Sequence, residues 1–221
     1  MKRVLLALFL TCVGLTAQAP APKVPPLPDW VAAELNIAYD THKETVLDVF
    51  QPKEKAKGKR PGVLVIHGGG WINGTKESQF EPFCLRYLEK GFVVANVEYR
   101  LAAVATAPAA VQDVLKAAEW FRKNAGKYNV DTKRIAVTGG SAGGHLSLMV
   151  GMTPKSAKLG RSAKVAAVVN FYGITDVGDQ LQGENMRKYA VTWVPERIIR
   201  ASFEATTTLR FYTIGDDEVR A

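Results

Sequence analysis

The sequence predicts an α/β fold built on a doubly wound, mostly parallel sheet. Three observations predict it. Continuous apolar runs of strand length, such as Val63-Leu64-Val65-Ile66, read as parallel strands buried on both faces. These runs alternate with helix-compatible segments, the order expected when crossover helices cover both faces of a sheet. Two glycine-rich turns, His67-Gly68-Gly69-Gly70-Trp71 and Gly139-Gly140-Ser141-Ala142-Gly143, each directly follow an apolar strand. That places them at C-terminal strand ends, where the sites of open α/β sheets collect.

The elements follow in order. Residues 31–40 and 45–51 read as two antiparallel strands. Residues 61–67 form the first buried parallel strand, and 77–90 a helix. Residues 92–98 form the second parallel strand, and 108–124 a strongly amphipathic helix. Residues 134–138 are the third buried strand, 141–152 the helix after the second glycine-rich turn, and 165–171 the fourth parallel strand. Residues 209–214 read as a later strand. No internal repeat and no second domain is visible.

Gly139 to Gly143 is a G-x-S-x-G with a strand before it and a helix after it, the context of a nucleophile elbow. A strand-to-helix turn this tight leaves no room for side chains beside the serine, so glycines flank it. The turn lifts the Ser141 hydroxyl to the N-terminus of the next helix, where N–H groups stabilise developing negative charge. The competing reading is a structural serine in a glycine-rich turn, and the HGGGW loop disfavours it. An HGGG loop supplies backbone N–H groups to an oxyanion hole, and each such donor is worth roughly 3–4 kcal/mol in the transition state. A phosphate loop is the other reading of this segment, because Gly69 and Gly74 have Walker-like separation. Thr75 precedes Lys76, however, where a P-loop has lysine immediately after the second glycine.

HGGGW and GGSAGGH together resemble the esterase/lipase branch of the α/β-hydrolase superfamily. The likeness is closest to secreted esterases of the feruloyl/acetyl-xylan type and spans roughly residues 30–195. Residues 45–52, Val97-Glu98-Tyr99-Arg100-Leu101-Ala102, and the helix carrying Asp113 and Trp120 fit the same branch. The resemblance implies ester hydrolysis through an acyl-enzyme, on acyl groups of carbohydrates or on small esters. It implies Ser141 as nucleophile, with the N–H groups of Gly69, Gly70 and Ala142 as oxyanion donors. The alternative is a hydrolase-like binding protein without catalysis.

The family order is Ser, then an acid, then His. Here the acid falls at Glu218, or at Asp217 if one residue is deleted. The three histidines are His42, His67 and His145, so none follows the serine at the distance the pattern requires. His145 lies one turn along the elbow helix and is read as structural. His67 belongs to the oxyanion loop, and His42 to a solvated hairpin turn. The resemblance therefore implies that the last strand, the base-bearing loop and the last helix lie beyond Ala221, and that residues up to Ala221 turn over esters near background.

Lys2 and Arg3, the apolar run Val4 to Val13 and Ala17-Gln18-Ala19 read as a signal peptide over residues 1–19. Residues 20–29 are a Pro-rich linker, and 30–221 a single hydrolase domain that is incomplete at its C-terminal end. The expected location is secreted or periplasmic, with no membrane attachment after cleavage. The remaining chain of about 200 residues suits one domain. Composition is ordinary, with 47% hydrophobic and 23% charged residues. The net charge of +8 invites a nucleic-acid partner. Yet Lys53, Lys55, Lys57, Lys59 and Arg60 crowd one short segment, without aromatic interleaving, and read as a solvated loop. Cys84 stands among apolar residues as a buried structural thiol. No cofactor motif and no Cys/His cluster for a metal is present.

Overall fold

The computed structural model describes residues 26–161 and 163–176. The signal segment, most of the linker, the strand expected at 209–214 and both acid candidates, Asp217 and Glu218, lie outside the described residues. Six strands form one sheet in the order β1-β2-β4-β3-β5-β6. They are β1 (Val31–Ala38), β2 (Val46–Pro52), β3 (Arg60–Ile66), β4 (Val93–Val97), β5 (Val130–Gly140) and β6 (Ala167–Phe171). β1 pairs antiparallel with β2, and β2 antiparallel with β4; β4, β3, β5 and β6 run parallel.

Alternation along the central strands sorts the core into two layers. Leu64 and Ile66 of β3 face one side, with Leu47, Ala95 and Val137. There they meet Val111, Val114, Leu115 and Phe121 of α2 (Ala109–Lys123), and Leu146 and Val150 of α3 (Ala142–Met152). Val63 and Val65 face the other side, with Phe50 and Val94, against Phe80, Cys84 and Leu88. The doubly wound architecture expected from the alternation is thus present, and Cys84 is the buried thiol expected, its pKa pushed up by burial.

Two elements differ from the sequence reading. The continuous helix expected at 77–90 is instead a 3-10 turn (Lys76–Gln79), a π-helical turn (Phe80–Cys84) and a single α-helical turn, α1 (Leu85–Leu88). Pro82 explains the break, since it has no N–H to donate back to residue 78. β5 is longer than the expected 134–138. Val130 already pairs with Arg60, and the register then slips before Gly62 meets Ile135. The exposed residues of that slip, such as Lys133 and Arg134, hide the strand from a purely apolar reading. Lys53, Lys55, Lys57 and Lys59 do lie in the exposed loop between β2 and β3, whereas Arg60 opens β3 and donates to the Gly91 carbonyl at 3.1 Å.

A polar network crosses the second layer. Lys76, only 2% exposed, donates to Asp48 Oδ2 at 2.8 Å and to Glu77 Oε1 at 2.7 Å. Asp48 Oδ1 accepts the Asn36 N–H at 2.7 Å. Asn96 Nδ2 donates to the Lys76 carbonyl at 2.7 Å. Burial acts to lower the Lys76 pKa, but the hydrogen bonds to Asp48 and Glu77 outweigh it and hold the ammonium charged. Burial, with a smaller push from the Glu77 charge, raises the Asp48 pKa, and the hydrogen bonds from Lys76 and the Asn36 N–H act against that rise. This lysine is bound to carboxylates, which removes the phosphate-loop reading.

Breaking such a pair strands a charge in the interior, which costs about 3–5 kcal/mol, whereas replacing both members with apolar groups costs much less. Asp48→Ala is therefore expected to lower the unfolding free energy by about 3 kcal/mol, with Glu77 retaining part of the pairing. Asp48→Leu combined with Lys76→Met should recover most of that. Urea unfolding of the three proteins measures it, and equal midpoints would contradict the ion pair.

Candidate active site

The parallel pair β3 and β5 ends with both glycine-rich turns side by side. Ile66 pairs with Gly139 at the last register position. A Cβ at Gly143 would collide with the Ile66 carbonyl oxygen and press on the His67 backbone. Only glycine therefore lets α3 start this close to the end of β3. Ser141, between them, sits at φ 55° and ψ −123°, a conformation that costs a non-glycine residue of order 1–3 kcal/mol. Its N–H donates to the Phe171 carbonyl at 3.0 Å, and its carbonyl accepts from His145 N–H at 3.0 Å. The backbone on both sides of the serine is thus held, while the residue itself is only half-buried. Ala142 opens α3, where first-turn N–H groups have no partner within the helix.

The HGGGW loop lies against this elbow. A Cβ on Gly68 would sit 2.7 Å from the Gly140 carbonyl oxygen and 3.5 Å from Ser141 Cβ. Gly69 and Gly70 follow at φ 110° and 59°. At Gly69 a side chain would strike the Asn73 backbone as well, because Ile72 and Asn73 both donate their N–H groups to the Gly69 carbonyl at 3.1 Å. Trp71 also has a positive φ of 62°, and its carbonyl accepts from Ala102 N–H at 2.8 Å. The loop is a tight backbone structure next to the serine, as the two motifs predicted.

Each histidine has a definite place. His67 is fully buried. Its ring lies parallel to that of Tyr99, with centroids 4.2 Å apart. Its Nε2 is 2.8 Å from Glu98 Oε1 and its Nδ1 2.7 Å from the Gly68 carbonyl. His42 is exposed in the hairpin turn as expected, and in addition its Nε2 meets Arg100 Nη1 at 3.1 Å. Arg100 in turn grips buried Asp113 through Nε and Nη2 at 2.8 and 2.6 Å. His145 is buried edge-on against Trp71, with ring centroids 5.3 Å apart, and its Nδ1 has no hydrogen-bond partner. Burial pulls its pKa down to about 4.

Sequence reading missed Glu98, Asp48 and Lys76 as supports of the site. The signal was available for two of them. Asp48 interrupts the apolar run of β2, and Glu98 directly follows that of β4. Charges in such positions are kept only when paired. Among the described residues no group of acidic, His and Cys side chains could hold a metal ion, and no helix is long and apolar enough to cross a membrane.

A strained serine on a strand-to-helix elbow, with a glycine loop against it, defines the α/β-hydrolase class. The family model described as BD-FAE matches residues 47–209, and the chain belongs to that family of esterases. Esterase LipQ of Mycobacterium tuberculosis is 29% identical over 167 residues, covering 73% of this chain and 39% of LipQ. Rabbit (Oryctolagus cuniculus) arylacetamide deacetylase is 35% identical over 132 residues, covering 58% of this chain and 32% of its own. The chain thus spans well under half the length of these relatives. A solved truncated carbohydrate esterase from gut microbiota superposes with a TM-score of 0.60 at 30% identity, covering 67% of this chain and 59% of that one. Thermogutta terrifontis esterase 2, phosphonylated by sarin, shares the fold with a TM-score of 0.65 at 23% identity, covering 87% of this chain and 70% of its own.

The buried neutral His145 makes stability depend on pH. Its folded pKa of about 4 lies below the ordinary 6.5, so the unfolded chain takes up the proton first as pH falls. Its contribution is complete above pH 6.5 and is lost progressively between 6.5 and about 4, reaching about 3 kcal/mol. Urea midpoints taken across that window should fall in the wild type and flatten in His145→Gln. An unchanged slope in the variant would mean that His145 is not the group responsible.

Proposed function

We propose that this chain carries the nucleophile and oxyanion half of a serine carboxylic-ester hydrolase that works through an acyl-enzyme. The observation that carries the reading is the strained backbone of Ser141 beside the HGGGW loop. A φ of 55° on a serine is retained where it is useful. In this reading Ser141 Oγ attacks the ester carbonyl, and the N–H groups of Gly69, Gly70 and Ala142 receive the oxyanion. The acid is Glu218 or Asp217.

The substrate class we propose is an acyl group on a carbohydrate or a small ester. The resemblance to a carbohydrate esterase supports it. We also propose residues 1–19 as a secretory signal, which places the hydrolase domain outside the cytoplasm. The charged start, apolar run and Ala17-Gln18-Ala19 support that.

No histidine in the sequence is placed to act as general base. His67 is committed to Glu98, His145 is buried beside Trp71, and His42 lies in the hairpin turn against Arg100. Loss of a triad member costs about 10⁴–10⁶ in kcat. Residues 20–221 should therefore hydrolyse p-nitrophenyl acetate near background. A chain extended through a histidine-bearing segment should turn it over, and Ser141→Ala should abolish that activity. Gly69→Ala should lower kcat more than it raises KM, because the donor acts on the transition state. Wild-type kcat in Ser141→Ala would refute the nucleophile. Ester binding without turnover in the extended chain would favour a non-catalytic binding protein.

A further inference from the structure

We propose that Glu98 is a positioning residue that clasps the HGGGW loop shut at both of its ends. The loop leaves β3 at His67 and rejoins the core at Lys76. One carboxylate takes both points. Its Oε1 lies 2.8 Å from His67 Nε2, and its Oε2 accepts the Lys76 N–H at 3.0 Å. The inference rests on the hydrolase reading for its purpose, since a closed loop holds the Gly69 and Gly70 N–H groups in place before substrate arrives. The clasp itself is independent of what Ser141 does.

The surroundings hold Glu98 in turn. Tyr39 Oη donates to the Glu98 carbonyl at 2.6 Å, and Tyr99 Oη donates to the His67 carbonyl at 3.1 Å while its ring stacks on the imidazole. The Lys76 ammonium is directed elsewhere, to Asp48 and Glu77, so only its backbone serves the clasp. Hydrogen placement follows from the acceptors. The Gly68 carbonyl can only accept, so His67 Nδ1 carries a hydrogen. Nε2 faces the Glu98 carboxylate at 2.8 Å. Hydrogen bonds that involve a carboxylate are about twice as strong as neutral ones.

Amide exchange and imidazole NMR on the full chain test this without any need for catalysis. The Ile72 and Asn73 amides are bonded inside the loop and report its closure. In Glu98→Ala their exchange should rise about ten- to a hundredfold, the scale set by losing hydrogen bonds to a charged group. Amides of β3 and β5 should stay protected. Glu98→Asp, one methylene short of spanning both ends, should accelerate the same two amides and serves if the alanine variant does not fold. Glu98→Gln should rescue them, with its NH₂ donating to Nε2 and its oxygen accepting from Lys76. Its signature is a change in the His67 Nε2 signal, as an amide donor replaces the carboxylate there. Unchanged Ile72 and Asn73 exchange in Glu98→Asp would overturn the proposal. So would a glutamine variant as open as the aspartate one. Failure of Ser141→Ala to reduce the esterase activity of the extended chain would sink the hydrolase reading and leave these exchange results standing.

Discussion

The close approach of the β5–α3 elbow to the end of β3 is the constraint on which the rest depends. Ile66 and Gly139 are opposite each other in neighbouring parallel strands, and the helix that follows begins where a side chain would strike the Ile66 carbonyl. Backbone must therefore meet backbone there. Parallel neighbours end on the same edge, so both glycine-rich turns emerge together. The serine and the loop that faces it are brought side by side by strand order alone, although 70 or so residues of chain separate them.

Strain at the serine needs a rigid frame, and the two core layers supply it. Leu146 and Val150 fasten α3 to the sheet on one face, while Phe80, Cys84 and Leu88 fill the other. The N–H of Ser141 is held by the Phe171 carbonyl across the sheet edge. A positive φ survives when both flanks are fixed, since relaxing it would break the packing of a helix and the hydrogen bond to a strand. The geometry of the elbow is in this sense a consequence of packing.

Charge is placed with the same logic. Asp48, Lys76, Glu77, Glu98 and His67 form a chain of paired groups beneath the HGGGW loop. Paired charges of this kind add little net stability over apolar packing, but they specify one arrangement, because a misregistered loop would leave several buried groups unmatched. A loop made largely of glycine has little side-chain packing of its own to define its shape. The polar clasp at its ends supplies what the glycines cannot.

Much of this was legible in the sequence. Period and composition sufficed for β2, β3, β4 and α2, because buried parallel strands and an amphipathic helix leave strong local signals. G-x-S-x-G and HGGGW marked the tight turns that hold Ser141, Ala142, Gly69 and Gly70, because such turns demand glycine at fixed offsets. Where a local rule was overridden, the reading failed. Pro82 broke the expected helix into three turns, and the slip at the start of β5 concealed residues 130–133 of that strand. By itself the sequence determined the fold class and the glycine-flanked strand-to-helix turn at Ser141. Only the tertiary structure decided that Glu98 joins both ends of the loop, that Lys76 is bound to Asp48, and that His145 is buried against Trp71. Those are contacts between residues 22 to 74 positions apart, and no local pattern encodes which partner a buried charge or ring will meet.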